Sequence, residues 1–367
     1  MSLAIKHSLV ALNCCNQVSR DTICKLGTKA AVWADESVSI VDIGCELGIS
    51  TKESTTIKRW LRSSSTLVTD QLRRAEDLGA QVITSDGAQY PAELLDLDLP
   101  PPVLYCRGSI PSAPAIAIVG SRKATRPNLE IAKMFGRELA LRGLSIVSGF
   151  AIGIDQAAHR GALAAPIGTT VAVLGCGLDV DYPRRTRVLA DEIEAQGAVV
   201  TEFPLGTHPV NLNFPIRNRL IAALSLGTLV VQATARSGSL ITARLAVDLG
   251  RDVYGIPGSI LDQGSVGPNT LIRDGALLVQ HPRDIVDSLP LEIQARLETG
   301  LHEMIEEVPA DPSSQLLGLI PSGRLVSIEE LAAKTGWTSD RILCELLELE
   351  ISAQVKRYPG PSYCKPL

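Results

Sequence analysis

The chain has 367 residues, 45% hydrophobic and 4% aromatic, and a formal net charge of −5 at pH 7. This length predicts two or three globular domains. The sequence has neither an apolar run of about 18 residues nor a signal-peptide pattern, so we expect no membrane insertion and a cytoplasmic location, with all eight cysteines as reduced thiols.

The acidic average conceals an uneven charge distribution. Residues 114–290 contain 17 Lys and Arg against 15 Asp and Glu, whereas residues 1–113 and 291–367 are both net acidic. Fifteen of those 17 cations are arginines, whose planar guanidinium groups suit phosphate oxygens. A local anion site is therefore plausible inside an acidic protein.

The predicted elements change in character along the chain. Residues 1–75 contain short amphipathic stretches that predict a small helical, SAM-like domain. Residues 76–290 then alternate helices with short apolar strands, from AIAIV, LSIVS and TTVAVLG to AVVTEF, TLVVQA, DVYGIPG and ALLV. This alternation predicts an α/β fold with a Rossmann-like, doubly wound, mostly parallel sheet. Residues 291–314 are expected to be a linker and residues 315–367 a winged-helix domain.

Turns rich in glycine, serine and arginine follow several of these strands. In parallel sheets such turns share the carboxyl edge, where ligands bind. They can present backbone amides and positive charge to an anion, although simple turns and helix caps are the alternative. The candidates are Gly120, Ser121, Arg122, Ser148, Gly149, Arg184, Ser237 and Gly238, with Ser239 as a plausible helix N-cap.

The segment FPIRNRLIAALS places two cations at the start of a predicted helix. Pro215 suits a first helical turn, so Arg217 and Arg219 lie near the positive end of the helix dipole. A bound phosphate would compensate for this placement. Glu202 or a backbone carbonyl would also do so, and the sequence leaves both alternatives open.

Other patterns give no strong indication of catalysis or of a cofactor. Asp155 and His159 are four residues apart on one helical face, but no nucleophile accompanies them, so a structural role is expected. Gly175 and Gly177 form only part of a dinucleotide fingerprint, and neither a P-loop nor a CxxC pair is present. We therefore predict no catalytic residue, no metal and no cofactor.

The ordered motifs over about residues 75–285 resemble the DprA/Smf family of DNA-processing proteins. They are ITSDGAQYP, PPVLYCRG, AIVGSR, VSGFAIGID, AVLGCGLDVDYP, TEFP, FPIRNRLIAALS, SGSLITARLA and VYGIPG with GPNTLIRDGA. The resemblance implies a non-enzymatic homodimer that binds and protects single-stranded DNA and loads the RecA recombinase during natural transformation.

Individual residues can be carried over from the family pattern. Arg122 and Arg184 match basic positions of the family's DNA pocket, and the triplet Arg217, Asn218 and Arg219 matches its most recognisable signature. The chain departs from that pattern at three positions, where Arg, Asn and Glu are usual: Ile152, Thr186 and Gln232. These departures concern how strongly the pocket binds DNA.

Two other functions fit the sequence less well. A nucleotide phosphoribohydrolase of the lysine-decarboxylase-like family would need a PGG-x-GT loop with a catalytic glutamate, and the chain has neither. A transcription regulator would use the terminal winged helix, which would leave the large central domain without a role. The presumptive recognition helix of the winged helix, SDRILCELLELE, carries four acidic residues against one arginine. That charge balance opposes duplex binding. The same helix has more leucines than one core-facing stripe requires, which favours a contact with protein, although packing against the wing and the preceding helix is the alternative.

Overall fold

The computed structural model describes residues 2–33, 39–297, 312–321, 325–351, 354–358, 360 and 362–365. The chain forms two compact units, Met1–Leu297 and Glu298–Leu367. No helix in the described part of the chain is both long and apolar enough to span a bilayer.

The first unit begins with six helices that pack on the sheet. Leu9 and Ile57 belong to the same buried cluster as Tyr105 and Val199 of the sheet, so these helices share a core with it. They are α1 (Ser2–Asn13), α2 (Arg20–Gly27), α3 (Ala30–Trp33), α4 (Ile40–Glu46), α5 (Thr51–Ser63) and α6 (Ser65–Asp77).

A nine-stranded sheet forms the centre of this unit, in the order β1-β2-β6-β5-β4-β3-β7-β8-β9. Strand β1 pairs antiparallel with β2, and β2 pairs antiparallel with β6. All the other pairs, from β6 across the sheet to β9, are parallel. The strands are β1 (Gln81–Thr84), β2 (Val103–Gly108), β3 (Ala115–Val119), β4 (Ser145–Ser148), β5 (Thr170–Val173), β6 (Ala198–Thr201), β7 (Gly227–Val230), β8 (Asp252–Gly255) and β9 (Leu277–Leu278).

Helices cover both faces of the sheet. Ile116 and Ile118 of β3 pack with one helical layer, while Ala117 and Val119 pack with the opposite layer, so β3 is buried on both sides. The helices are α7 (Arg126–Ala140), α8 (Ile154–Leu163), α9 (Arg187–Gln196), α10 (Asn213–Ala223), α11 (Ser239–Asp248), α12 (Val266–Arg273) and α13 (Pro282–Ser288). The predicted mostly parallel, doubly wound α/β sheet is confirmed.

The order of the strands creates a topological switch point between β3 and β7. The connection from β3 leads to β4 on one side, whereas β7 lies on the other side and leads to β8. Helices then start on opposite faces and leave a crevice beyond the carboxyl ends of these two strands, where such sheets bind ligands.

The second unit is a small helical domain with a three-stranded sheet in the order β10-β12-β11. Ile342, Leu346 and Leu349 of its longest helix are buried, while Leu343 and Leu347 are exposed. Its elements are α14 (Pro312–Leu319), β10 (Val326–Ser327), α15 (Ile328–Thr335), α16 (Ser339–Ile351), β11 (Lys356–Tyr358) and β12 (Ser362–Cys364). This arrangement is a winged helix, as the sequence predicted.

Both described ends of the segment expected to be a linker, residues 291–314, are helical. Residues 291–297 are helical and belong to the first unit, where Ile293 and Leu297 pack against the core formed by α7 and α8. Residues 298–311 lie outside the described residues, and α14 begins at Pro312, inside the expected linker 291–314.

Candidate functional site

A cleft of about 230 Å³ opens at the switch point. It is lined by the loop that follows β3, the start of α8, the start of α10 and the loop before α11. Of the sequence-predicted candidates, Gly120, Ser121, Arg122, Arg217, Asn218, Ser237 and Gly238 line this cleft. The structure thus brings together residues that are more than a hundred positions apart in sequence.

The loop after β3 forms one wall of the cleft. The Ser121 amide donates a hydrogen bond of 2.7 Å to the Gln232 carbonyl, which holds the loop against the end of β7. A side chain at Gly120 would clash, because its Cβ would lie 2.6 Å from Ile154 Cγ1. The close approach of α8 to this loop therefore requires glycine.

Arg122 projects from the same loop and is exposed. Its guanidinium carbon lies 4.9 Å from the centre of the Phe214 ring, a cation–π contact that orients the side chain across the cleft. Arg122 makes no ion pair with any carboxylate in the described residues. Its charge is therefore available to an anion.

Arg217 lies at the bottom of the cleft and is almost fully buried. Its Nη1 donates to the Gly149 carbonyl at 2.7 Å and also to the carbonyl of Val173 at the end of β5. Burial lowers the pKa of Arg217 to about 10, and the nearby Asp155 carboxylate opposes this shift. The guanidinium stays charged at neutral pH, and backbone carbonyls supply part of the compensation that the sequence left open.

Asp155 also lines the cleft, at the start of α8. The Ala151 amide donates to its carboxylate at 3.3 Å. Burial raises the pKa of Asp155 to about 6, although the Arg217 guanidinium opposes this rise. At neutral pH the carboxyl is still mainly ionised, and its charge offsets part of that of the neighbouring Arg217.

His159 does not share a hydrogen bond with Asp155. Its Nδ1 lies 2.7 Å from Thr170 Oγ1, and that hydroxyl donates to the Ile146 carbonyl at 2.6 Å. The single hydroxyl proton is thus used, so His159 Nδ1 must be the donor. Burial lowers the pKa of His159 to about 3 and keeps the ring neutral. Its role is structural.

Two further candidates serve the sheet and do not reach the cleft. The Ser148 hydroxyl is buried and donates to the Ile118 carbonyl at 2.6 Å, which joins β4 to β3. Gly149 is also buried and leaves room for Arg217, since its Cβ would lie 2.7 Å from a guanidinium nitrogen. Both residues support the site from beneath.

Arg219 faces away from the cleft. Its guanidinium donates to the Leu99 carbonyl at 2.6 Å and to Glu202 Oε2 at 2.7 Å. The same carboxylate oxygen pairs with Arg20 of α2 at 2.7 Å, and Glu202 is fully buried. Glu202 therefore compensates Arg219, which ties α10 to the N-terminal helices and takes no part in the cleft.

The opposite wall of the cleft is formed by the loop before α11. Gly238 is exposed, and a side chain there would meet open space. Gly238 is the N-cap of α11 and Ser239 its first residue, so the expectation that Ser239 is the cap is wrong. Ser237 Oγ lies 2.7 Å from Ser239 Oγ, and the Asn218 side-chain amide reaches the Gly238 carbonyl at 3.4 Å.

Arg184 lies outside the cleft in the exposed loop between β5 and α9. This loop approaches the cleft through Tyr182, whose ring centre is 5.5 Å from that of Phe214. Sequence reasoning did not select these two aromatic residues, although both lie inside the quoted motifs DYP and FPIRN. The Phe214 ring thus contacts both Arg122 and Tyr182.

The three departures from the family pattern have separate consequences. Gln232 is buried, and its Oε1 accepts the Thr125 amide at 3.0 Å, so an uncharged amide holds the loop without adding a carboxylate beside the cleft. The Thr186 hydroxyl donates to the Pro183 carbonyl at 2.5 Å. Ile152 is exposed and places an aliphatic side chain next to the cleft residue Ala151.

The carboxyl edge of the sheet is electropositive. Exposed cations that have no ion-pair partner in the described ranges stand on its loops and first helical residues: Arg122, Lys123, Arg126, Arg184, Arg185, Arg187 and Arg236. Asp179, on the same edge, pairs with Arg74 at 2.6 Å, and although Asp181 and Asp262 also lie on its loops, the exposed cations outnumber these carboxylates. Charges gathered at one edge attract a polyanion despite the net charge of −5.

The described residues contain no group of three or more His, Cys, Asp or Glu side chains placed to hold a metal ion. The cysteines that the structure describes are free thiols.

Comparison with known proteins identifies the family. A family model described as DNA recombination-mediator protein A matches residues 81–290, and one described as the DprA winged helix domain matches residues 303–361. The chain belongs to the DprA (Smf) family. Protein Smf of Escherichia coli is 38% identical over 285 residues, which cover 76% of each chain. DprA of Streptococcus pneumoniae is 42% identical over 203 residues, 54% of this chain and 70% of that one.

Solved structures of DprA proteins have the same fold. The X-ray structure of DprA from Streptococcus pneumoniae matches with a TM-score of 0.67 and 32% identity, over 79% of this chain and 97% of that chain. DprA from Helicobacter pylori, whose structure concerns its single-stranded DNA binding mode, matches with a TM-score of 0.50 and 30% identity, over 61% and 97% of the two chains.

Proposed function

We propose that the first unit binds single-stranded DNA, with backbone phosphates in the cleft at the switch point. The observation that carries this proposal is the cleft itself, in which the exposed, unpaired Arg122 faces the starts of α8, α10 and α11. Helix starts present free amides and the positive end of the dipole, so they favour phosphate oxygens. The single-strand binding mode of the Helicobacter pylori protein supports the same substrate.

The proposed contact residues fall into two groups. Arg122, Asn218, Ser237 and Gly238 line the cleft and are at least partly accessible, so they would contact the strand directly, together with the Gly120 and Ser121 backbone. Arg184 would extend the path along the neighbouring loop. In contrast, Ser148, Gly149 and Arg217 hold the floor of the site, and Arg219 is not retained as a contact.

A charge placed at Gly238 tests this assignment. The residue has φ −61°, and a Cβ meets open space, so side chains fit there without strain. Gly238→Glu should weaken single-strand binding at least tenfold by repelling a phosphate, whereas Gly238→Lys should leave it equal or tighter. Both variants should melt within a few degrees of the wild type. Equal affinities for the Glu and Lys variants would place the phosphates elsewhere.

We further propose that the protein is not an enzyme and acts as a recombination mediator. The titratable pair near the cleft does not form an acid–base couple, because Asp155 bonds to the Ala151 amide and His159 to Thr170. The proposed activity is to protect incoming single strands and to load RecA on them during natural transformation. A strand delivered to a recombinase must be held in the compartment of the chromosome, so a cytoplasmic location is part of the proposal.

A homodimer is the proposed assembly. Strand β9 is the last strand of the described sheet, and its two leucines, Leu277 and Leu278, are each about half exposed. An exposed edge strand of this kind is a template for pairing with another chain. Leu278→Glu should lower the sedimentation coefficient to that of a monomer, and an unchanged value would exclude this edge as the interface.

The winged-helix domain is proposed to act separately from strand binding. The start of α16 carries Asp340, and Leu343 and Leu347 face solvent on the same helix. An acidic helix that exposes leucines suits a protein contact better than a duplex groove.

A further inference from the structure

The carboxyl-edge loops carry highly exposed aliphatic side chains as well as cations. Ile260 and Leu261, between β8 and α12, are 88% and 89% exposed, and Leu212, before α10, is 77% exposed. Ile152, between β4 and α8, is 57% exposed. We call these four residues the aliphatic rim. Large aliphatic side chains grouped at one edge mark a contact surface.

The rim borders the proposed phosphate cleft. Ile152 directly follows the cleft residue Ala151, and Leu212 is the N-cap of the helix that supplies Phe214 and Arg217. The loop of Ile260 and Leu261 follows β8, which pairs with β7, and adjacent strands lie only about 4.8 Å apart. A strand with its phosphates in the cleft would therefore pass beside these side chains.

The loop that carries Ile260 and Leu261 is held in place from both ends. At its start, the Gly258 amide and carbonyl bond to the Asn269 side chain at 3.1 and 2.9 Å. At its end, the Gly264 carbonyl accepts the Ala233 amide at 2.8 Å, next to the Gln232 that supports the cleft. The two side chains are thus displayed by an ordered loop that is joined to the site.

We propose that the aliphatic rim contacts the unstacked nucleobases of the strand whose phosphates occupy the cleft. This inference rests on the proposed single-strand binding. Bases of a single strand present apolar faces, and aliphatic wedges can pack on them, whereas duplex bases cover one another. Only 4% of the chain is aromatic, and the Phe214 ring at the cleft already contacts Arg122 and Tyr182, so the exposed side chains left for base contacts are aliphatic.

Charge favours nucleic acid over protein as the occupant. The unpaired Arg122 and Arg236 lie on the loops that follow β3 and β7, at the same carboxyl edge as the loops that carry the rim residues. A sheet edge that carries both arginine and aliphatic side chains complements a polymer that carries both phosphates and apolar base faces. The rim would thereby select single strands, because a duplex offers it phosphates alone.

The test uses the full chain with Ile260→Ser and Leu261→Ser combined. Leu291→Ser is the matched control, because Leu291 is 80% exposed but lies near the end of the first unit, away from the carboxyl edge. The double variant should bind single-stranded oligonucleotides about tenfold more weakly. The slope of affinity against salt should not change, because the phosphate contacts remain. The control should bind like the wild type.

An abasic oligonucleotide of equal length, which keeps its phosphates but lacks bases, tests the base contact directly. The wild type should bind it at least as weakly as the double variant binds normal DNA. The double variant should lose less affinity on abasic DNA than the wild type loses, because only Ile152 and Leu212 of its rim remain to contact bases. The proposal would be overturned if the double variant bound normal DNA as tightly as the wild type does. It would also be overturned if the wild type and the double variant lost affinity equally on abasic DNA. A changed sedimentation coefficient with unchanged DNA affinity would make the rim a protein interface and also overturn it. Failure of the wild type to bind single strands would instead overturn the proposed function.

Discussion

Replacement of Arg122 by alanine separates a binding role from a structural one. The side chain is exposed, has no ion pair in the part of the chain that the structure describes, and contacts Phe214 at 4.9 Å. An exposed cation–π contact stabilises by about 0.5 to 1 kcal/mol. In a unit of this size, that loss lowers the melting temperature by only about 1 to 4 °C.

The loss in DNA affinity should be much larger than the loss in stability. A hydrogen bond between a guanidinium and a phosphate contributes about 1.5 to 3 kcal/mol, which corresponds to roughly a ten- to hundredfold change in affinity. Removal of one phosphate contact should also reduce the salt slope of single-strand binding by about 0.7.

Fluorescence anisotropy with a labelled single-stranded oligonucleotide, at several salt concentrations, measures both quantities. Arg160→Ala is the matched control, because Arg160 is exposed and without an ion pair in the described segments but lies in the last turn of α8, away from the carboxyl edge. Arg184→Ala should show a smaller loss than Arg122→Ala. If Arg122→Ala binds as tightly as Arg160→Ala, the cleft does not hold phosphate.

Three further predictions concern stability and domain function. Glu202→Gln should destabilise the first unit by about 3 kcal/mol in urea unfolding, because it leaves Arg20 and Arg219 without their buried anion, and a change below about 1 kcal/mol would contradict this. Burial raises the pKa of Asp155 to about 6, so ionisation of this carboxyl lowers the free energy of unfolding of the wild type as pH rises from about 4 to 6. Asp155→Asn lacks this ionisation, so its free energy of unfolding should rise relative to that of the wild type by up to about 3 kcal/mol over the same pH range. His159, whose pKa burial lowers to about 3, makes the free energy of unfolding of both proteins increase with pH, so the test is the difference between the two proteins. A difference in free energy of unfolding that stays constant from pH 4 to 6 would refute the raised pKa of Asp155. Truncation after about residue 308 should change single-strand affinity by no more than a few-fold, and a large loss together with duplex binding by residues 315–367 would make the winged helix a DNA reader.

The strands were predictable because parallel strands buried on both faces must be apolar along their whole length. AIAIV is such a run, and all five of its residues are buried in β3. The start of α10 was less clear, since the helix begins at Asn213, ahead of Pro215. The cleft was also foreseen in outline, because strand ends of one parallel sheet meet at a single edge.

The separate roles of Arg217 and Arg219 follow from helix geometry. Two residues along an α-helix are about 200° apart around its axis, so both cannot face one cleft. The choice between them depended on Glu202, which sits beside Arg219 only because β6 and α10 pack together with α2. Partners across such distances in sequence leave no local pattern. Likewise, the partner of Ser148 is a carbonyl of the neighbouring strand, which sequence does not reveal.

The most direct test of the central claim compares single-stranded with blunt duplex DNA across a salt series. We predict tighter binding to the single strand at every salt concentration, because the cleft takes phosphates while the adjacent rim needs accessible bases. Affinity should also fall steeply with salt, since arginine contacts to phosphate release counterions. Equal or tighter binding to the duplex throughout that series would contradict the account.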